Sequence, residues 1–418
     1  MTLNSRLALS APLPAGLGLC LLLYPMLLLT VKGGMNAVFF LACILSIIWI
    51  YRQAHLIQPK FDRITSVYAM AMASGILAVL FSQLYHGDFV LRTFDAPSRL
   101  LLAILIFLAL RGIDPRTFVP LQFGFPLGAI ASACVALASG EARAAAPFID
   151  TIHFGNLALL LGLLSILSIR WSHRDANWLV ALKVIGFAAG IYVSIQSGQR
   201  GGWIAIPFIF LLGVLLLDIQ HKARWFLFSS FLLALSMAAA YFFIPIVHVR
   251  IDYMYSDVVN VWHGRQLASS VGVRVQHMQA AWQLFLQNPL FGIGSANVGY
   301  AMIPFEQSGL LTKRAALGAY GELHSDIFSS MARFGLFGLL STLSFYLVPL
   351  FIFVRALPSR SAFHRKAAVM GICFIAAFFV FGLTVENFNL KMVAAFYAMT
   401  VAVLLAAATN LLIVNTKS

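Results

Sequence analysis

The sequence places one histidine, His324, among neighbours that could support acid–base chemistry, in the segment ELHSDIFSSMARFGLFGLL. A neutral imidazole can take a proton from an incoming hydroxyl group. Glu322 and Asp326 flank it and could orient the ring or act as alternative bases, although local charge balance explains either carboxylate equally well. If a helix begins near His324, Gly335 lies three turns further along it, about 16 Å at 1.5 Å per residue. The imidazole would then stand at the protein surface, above the membrane-spanning helix.

Three arginines in polar or glycine-rich segments could neutralise an anion. Arg200 lies in SGQRGGW, where Gly201 and its neighbouring glycines would free backbone N–H groups and let a ligand approach closely. Arg265 lies in VWHGRQ, and Arg274 follows on a predicted helix. Guanidinium groups suit the two phosphates of a pyrophosphate and could stabilise the charge that grows on it as a leaving group. The structural alternatives are interfacial snorkelling for Arg200 and a solvated surface for the other two.

Two further residues, His277 and Glu386, could contact a substrate. His277 follows Arg274 by one helical turn, and Glu386 lies in VENFN before the last apolar run. Lys183 lies within an apolar run, where it would snorkel or pair with a buried partner. The predicted outer loops contain no Asp-x-Asp pair, and no His/Glu cluster has metal-ligand spacing. We therefore expect no metal and no cofactor, with arginines neutralising the charge instead.

These residues are held by a chain whose composition is that of an integral membrane protein. Hydrophobic residues make up 61% of the sequence and charged residues 10%, and the mean hydropathy is +0.91. The apolar runs are continuous rather than alternating, which predicts an all-α polytopic membrane protein of about twelve transmembrane helices. The predicted spans are 13–31, 34–51, 64–84, 98–113, 117–139, 150–169, 177–196, 202–219, 225–247, 335–355, 366–384 and 391–413.

Lysines and arginines concentrate in alternate connections between these runs. With the N-terminus inside, most of them fall in cytoplasmic segments, and the short outer loops hold only Lys32, Arg92, Arg99, Arg143, Arg200 and Lys391. This asymmetry predicts cytoplasmic termini and a periplasmic interval at 248–334. The net charge of +14 therefore reflects topology and contact with anionic lipid or substrate rather than nucleic-acid binding.

The interval 248–334 is predicted to carry part of the active site within a single domain, 1–418. Apolar residues at 271, 275, 278, 282 and 285 follow one face of a helix, and Asn288-Pro289 would end it. Such an amphipathic helix would lie on the membrane interface or cap the bundle. LFGIGSANVGY then supplies flexible backbone.

At these residues the sequence resembles the O-antigen ligase/polymerase family of bacterial membrane proteins. His-Ser at 324–325, followed after nine residues by GLFG at 335–338, is similar to the family's His-Asn/Ser/Arg motif with Gly-x-x-Gly. SGQRGGW around Arg200 is similar to its Ser-x-x-Arg-Gly segment, and Arg274 with QNPLFGIG to its Arg…Pro-x-x-Gly-x-Gly run. The motifs cover roughly 190–400. The sequence departs from the family at Gln199, where members often have serine, and at Ser325, where asparagine is common.

The resemblance implies a glycosyltransferase of the C type (GT-C), acting without a metal on the periplasmic side of the bacterial inner membrane. Its members transfer glycan from undecaprenyl pyrophosphate. Ligases use lipid A–core as acceptor, polymerases a second lipid-linked repeat, and protein O-oligosaccharyltransferases a Ser or Thr. Carried over to this chain, Arg200, Arg265 and Arg274 would hold the pyrophosphate and His324 would activate the acceptor. The His-Ser-x9-Gly-x-x-Gly pattern favours the ligase.

A secondary transporter or lipid flippase is the alternative from another class, since it would also have twelve helices and inward-facing termini. The two halves of the sequence show no repeat, however, and the charged candidates gather at one membrane face rather than at the midplane. The sequence therefore favours the transferase.

Overall fold

The computed structural model describes residues 12–53, 62–140, 143–171, 174–216 and 221–412. Within these ranges the chain is helical, and it has no strand beyond one isolated β-bridge between Ala146 and Ile149. The predicted all-α fold class is confirmed.

The α-helices of the described residues are numbered in chain order. They are α1 Pro12–Leu27, α2 Gly34–Gln53, α3 Arg63–His86, α4 Asp95–Arg111, α5 Leu121–Ser139, α6 Thr151–Leu167, α7 Asn177–Ser197, α8 Arg200–Trp203, α9 Ala205–Leu216, α10 Lys222–Phe243, α11 Pro245–Trp262, α12 Ser270–Gln287, α13 Val298–Ala301, α14 Ile303–Gln307, α15 Lys313–Gly318, α16 Asp326–Ala356, α17 Ala362–Gly382 and α18 Lys391–Ala408. Short 3-10 helices at Leu91–Phe94, Pro115–Phe118 and Ser295–Asn297 lead into α4, α5 and α13.

Within the described ranges, nine helices are long and apolar enough to cross a membrane: α2, α3, α4, α5, α7, α10, α16, α17 and α18. Three shorter apolar helices, α1, α6 and the joined pair α8–α9, complete the series. Each predicted span therefore corresponds to an apolar helix. Helix α18 is buried along almost its whole length and lies at the centre, whereas α10 has no buried residue and offers its apolar surface to lipid.

The charge distribution predicts which end of the bundle faces the cytoplasm, and we call it the inner end. There Arg111 donates two hydrogen bonds of 2.7 Å to Asp62, the N-cap of α3, and a third to the Thr409 carbonyl. Burial would raise the pKa of Asp62, but the bonds from Arg111 lower it to about 2. Lys183 is fully buried and reaches Asp175 at 2.8 Å, so it pairs with a buried partner rather than snorkelling.

Helix α16 is interrupted at Gly335, which has φ 63° and ψ −144°. The segment 326–334 folds back along the rest of the helix, because Ser330 Oγ lies 2.6 Å from Thr342 Oγ1. In a straight helix these residues would be about 18 Å apart. The prediction that a continuous helix lifts His324 above the span is therefore wrong. Since Gly335 reverses the chain, His324 lies beside the span instead.

The segment 289–294, PLFGIG, packs its backbone directly on this bend. Leu336 N–H donates to the Pro289 carbonyl at 2.7 Å, and Ile293 N–H donates to the Ala332 carbonyl at 2.9 Å. These bonds satisfy groups that the interrupted helix leaves without partners, which would be costly in an apolar environment. Two glycine-containing motifs that lie far apart in the sequence are thus backbone partners.

The predicted amphipathic helix is present as α12, and Asn288 is its C-cap. Its buried face is not the predicted apolar stripe, however. Val273, His277 and Leu284 are buried, whereas Trp282 of the predicted stripe is 47% exposed. The buried face also carries Gln276 and His277, which bond the Leu267 and Ala315 carbonyls, so burial here follows packing partners rather than hydropathy.

Candidate active site

The connection between α17 and α18 joins the predicted site residues, and we call residues 384–388 (TVENF) the hub loop. The Thr384 carbonyl accepts a hydrogen bond of 3.1 Å from Arg274 Nε on α12. The backbone N–H of Glu386 donates to Glu322 Oε1 at 2.7 Å. The hub loop therefore fixes α12 and the segment before α16 relative to one another.

Asp326, the first residue of α16, fastens the folded-back segment to the hub loop. Its carboxylate accepts hydrogen bonds from the backbone N–H groups of Asn387 and Phe388, at 2.7 and 3.1 Å. It also accepts bonds from the Asn387 side chain at 2.9 Å and the Tyr346 hydroxyl at 2.7 Å. Because Asp326 is buried and both of its oxygens are engaged, it acts as an anchor. Of the two carboxylates that flank His324 in sequence, Glu322 alone lies against the ring.

His324 is held between two anchored residues, with a φ of 55° that is uncommon for any residue but glycine. Leu323 N–H donates to Glu386, and Asp326 is bonded as described. The imidazole Nδ1 lies 3.3 Å from Glu322 Oε1, and the His324 side chain is 22% exposed. Backbone strain of this kind persists where surrounding contacts impose it, and it is concentrated at functional sites.

The Glu322 carboxylate is positioned to orient this imidazole. Burial would raise the pKa of Glu322, but the adjacent His324 ring and the Glu386 N–H lower it below its ordinary value. The contact meets the distance of an ion pair but not the geometry of a hydrogen bond, and an ionised carboxylate beside Nδ1 favours a proton on that nitrogen and a basic Nε2. The arrangement suits Nε2 for removing a proton from a hydroxyl group.

His277 packs against His324, with ring centroids 5.4 Å apart and planes at 16°. Its Nε2 lies 2.7 Å from the Ala315 carbonyl, which can only accept, so this nitrogen carries the proton. Burial lowers the pKa of His277, although the bond to Ala315 opposes the shift. A neutral ring stacked on His324 supports its position without adding a charge.

Four arginines converge at the outer end of the bundle: Arg143, Arg200, Arg250 and Arg274. Arg200 donates to the Arg250 carbonyl at 3.3 Å, and the Arg250 guanidinium lies against Gly198, where a Cβ would be 3.0 Å from its Nε. Burial lowers the pKa of Arg143, and repulsion from Arg250 and Arg200 lowers it further. Burial also lowers the pKa of Arg274; the charge of Glu322 opposes this shift and that of Arg200 adds to it. All four side chains are only partly exposed.

This arginine cluster is poorly neutralised by the protein itself. Among the described residues, only Asp257 lies within ion-pair distance of any of the four, at 3.3 Å from Arg200. Glu322 acts electrostatically on Arg274, and Asp150 acts on Arg143, without reaching ion-pair distance. Three of the four arginines thus have no described carboxylate in direct contact, and an anionic ligand would stabilise such partly buried positive charge.

The other predicted site residues have different surroundings. Arg265 is exposed and makes no side-chain hydrogen bond or ion pair with any described residue. Gly201 faces Thr384, whose Oγ1 would lie 2.9 Å from a Cβ, so a neighbouring loop rather than open space explains this glycine. Glu386 is buried, 3.5 Å from Arg333. The structure thus brings Arg200, Arg274, His277, His324 and Glu386 together and leaves Arg265 exposed, and the catalytic and substrate-binding roles of all six residues stay predictions.

Sequence reasoning missed several members of the site. Arg333 lies in the folded-back segment and bonds Ser329 and Glu386. The position of Arg333 directly before an apolar run could have indicated a functional role from the sequence. His153 was hidden at the start of an apolar helix, and its ring bonds Asp150 at 2.6 Å. Asp257 and Arg250 had no local signal, because only folding brings α11 against α8.

An apolar cavity of about 380 Å³ lies beneath the arginine cluster, between α7, α8, α9, α10 and α11. Its lining includes Ile191, Trp203, Phe210, Leu232 and Ile251. Trp203 follows Arg200 in α8, and Ile251 follows Arg250 in α11. The apolar cavity therefore lies next to the arginine cluster. Such an arrangement suits an amphiphilic ligand with an apolar tail and an anionic head group.

These features define a polytopic helical membrane protein whose outer end carries a histidine–carboxylate pair beside a cationic cluster. The family model described as O-antigen ligase matches residues 185–343, which include the arginines of α8, α11 and α12 and also His324. Residues 185–343 are thus similar to the O-antigen ligase family. The chain is also 26% identical over 310 residues to an uncharacterised protein of Haemophilus influenzae, covering 71% of this chain and 75% of that protein. The match to the family model supports an O-antigen ligase or polymerase type of function.

Proposed function

We propose that the protein is an O-antigen ligase. It transfers an O-antigen glycan from undecaprenyl pyrophosphate to lipid A–core on the periplasmic side of the bacterial inner membrane. The observation that carries the proposal is the cluster of four arginines with a single carboxylate partner, set above an apolar cavity. A pyrophosphate fits its excess positive charge, and a polyprenyl chain fits the cavity.

The chemistry divides between the two halves of the site. The acceptor hydroxyl oxygen attacks the anomeric carbon of the sugar while the bond from that carbon to the pyrophosphate oxygen breaks. The electron pair leaves with the pyrophosphate, whose growing charge Arg200, Arg274 and their neighbours stabilise. His324 Nε2 takes the hydroxyl proton, and Glu322 stabilises the resulting imidazolium. Displacement from the opposite face inverts the configuration at that carbon.

Glu386 and Arg333 hold this site together without meeting the substrate. Glu386 is buried and bonded to Leu323, immediately before His324, and it also pairs with Arg333 of the folded-back segment. The role proposed for Glu386 is therefore to fix the His324 backbone. A catalytic imidazole must be held within a fraction of an ångström of its productive position, and the hub loop supplies that restraint.

The acceptor separates the ligase from its relatives. The polymerase and the protein O-oligosaccharyltransferase share the donor chemistry and would use the same arginines. The ligase assignment rests on the His-Ser-x9-Gly-x-x-Gly pattern, which the structure places at the fold-back. The transporter alternative is weaker. Lys183, the charge within an apolar run, is paired with Asp175 at the inner end, and the arginine cluster, with its one described ion pair, lies at the outer end.

The proposal is tested by reconstitution of the purified chain with undecaprenyl-pyrophosphate glycan and lipid A–core, with EDTA present. Larger lipopolysaccharide formed in EDTA would support a metal-independent ligase. If the glycan instead lengthens on the polyprenyl carrier, the assignment changes from ligase to polymerase. Modified protein acceptors would indicate the oligosaccharyltransferase. No covalent product from folded protein would refute the transferase and favour the transporter.

A further inference from the structure

The Arg200–Asp257 ion pair occupies the part of the arginine cluster that an anionic ligand would need. Arg200 Nη2 lies 3.3 Å from Asp257 Oδ2, and each side chain is only 16% exposed. Asp257 also acts electrostatically on Arg274, the other arginine that is proposed to hold the pyrophosphate. A carboxylate and a phosphate oxygen bind a guanidinium in the same way, so they compete for it.

Asp257 is carried by a helix that is weakly attached to the bundle. Val247 is the only buried residue of α11, and α10, which precedes α11, has none. Both helices also line the apolar cavity, through residues such as Leu232 and Ile251. The element that carries the competing carboxylate therefore contributes little to the buried core.

The charge of the bound lipid changes during the proposed reaction. In a glycosyl pyrophosphate lipid each phosphate carries one ester bond and shares the anhydride bond. The lipid therefore carries two negative charges. Cleavage of the sugar leaves a terminal phosphate with a further ionisation near pH ~6 in ordinary phosphate monoesters. The polyprenyl pyrophosphate product is thus more negative than the donor. The arginine cluster would bind this product more tightly than the donor unless another anion competes for the arginines.

We propose that Asp257 is a displaceable counter-ion that limits product retention, an inference that rests on the proposed function. The donor displaces Asp257 from Arg200 on binding. After transfer, the carboxylate competes for Arg200 and lowers the affinity for the polyprenyl pyrophosphate product. Asp257 thus controls release of the lipid product, and it contacts neither the sugar nor the acceptor.

The direct test measures binding of undecaprenyl pyrophosphate to the full-length chain in nanodiscs. Asp257→Asn is expected to tighten binding about tenfold, the order expected for release of a partly buried charge pair. Asp252→Asn is the matched control, because Asp252 lies on the same helix but pairs with exposed His248 and Tyr241. It should bind like the unmodified chain, and Asp257→Glu should restore weaker binding.

A kinetic test separates release from chemistry. In Asp257→Asn, steady-state kcat should fall several-fold while the single-turnover rate is unchanged, because product release becomes limiting. A merely structural role for Asp257 would weaken binding and lower both rates.

The outcomes distinguish this inference from the proposed function. Unchanged or weaker binding by Asp257→Asn, with the unmodified chain binding normally, would overturn the counter-ion role and leave the ligase proposal intact. Failure of every variant and of the unmodified folded chain to bind undecaprenyl pyrophosphate would refute both.

Discussion

The substitution Gly335→Ala tests the fold-back of α16 most directly. The backbone at Gly335 has φ 63° and ψ −144°, a conformation that costs an L-residue about 2 kcal/mol. A Cβ there would lie 2.7 Å from Gly292 N and closer still to the Leu290 carbonyl. These are backbone atoms that cannot rotate away, and overpacking of this kind adds about 2 kcal/mol. We expect destabilisation of about 4 kcal/mol from both effects together.

Two other glycines separate the two contributions. Gly87 has φ 68° but nothing within 4 Å of a Cβ, so Gly87→Ala carries backbone strain alone and should cost about 1–2 kcal/mol. Gly112 has φ −101° and is also unobstructed, so Gly112→Ala should be near neutral. Thermal unfolding of each purified variant in one detergent should give midpoints in the order Gly112→Ala, Gly87→Ala, Gly335→Ala, from highest to lowest. Gly335→Ala that unfolds with Gly87→Ala would show that the 289–294 segment does not contact the bend.

Three other predictions address the chemistry and the electrostatics. His324→Ala should lower transfer by about 10²–10⁴-fold and Glu322→Gln by at least about 10²-fold in the reconstituted assay, with unchanged folding; near-normal turnover in either would remove the base assignment. Arg274→Lys should be nearly as inactive as Arg274→Ala, because an ammonium lacks the bidentate fork, and full rescue by lysine would show that charge alone matters. The pKa of Asp62 is about 2 when folded, against an ordinary 3.8, so its pairing with Arg111 stabilises the protein above pH ~5 and less as pH falls toward 2. The midpoint difference between the unmodified chain and Asp62→Asn should shrink over that range, and a constant difference would contradict the linkage.

The sequence was sufficient for the features that depend on composition and local pattern. Apolar runs of membrane length gave the order and approximate bounds of the helices, because backbone groups in lipid must be satisfied within the segment itself. Local capping signals gave the end of α12 at Asn288, although its apolar stripe did not give the buried face. That face depends on which neighbours offer partners to His277 and Gln276, such as the Ala315 carbonyl and Thr312 N–H.

The chemical residue types were also legible in the sequence, but their grouping was not. His324, Arg200 and Arg274 could be predicted as site residues from the sequence. Histidine and arginine are energetically unfavourable close to a membrane unless they have a partner or a function there. Asp257 and Arg250 gave no such signal, since both lie on a helix with many polar residues. Their place in the site is evident only from their contacts with Arg200 of α8.

The sequence by itself determined a helical membrane protein with cationic and basic groups in its outer segments, since hydropathy and charge act locally. Only the tertiary structure decided where His324 lies, because a single glycine at 335 reverses the chain and the 289–294 segment satisfies the backbone that this reversal exposes. It also decided which carboxylate meets which cation. Glu386 lies against Arg333 and Asp257 against Arg200, and each of these two contacts joins elements that pack together only in the folded bundle. An ion pair requires its two charged groups within about 4 Å, so these pairings follow from packing and not from the order of residues along the chain.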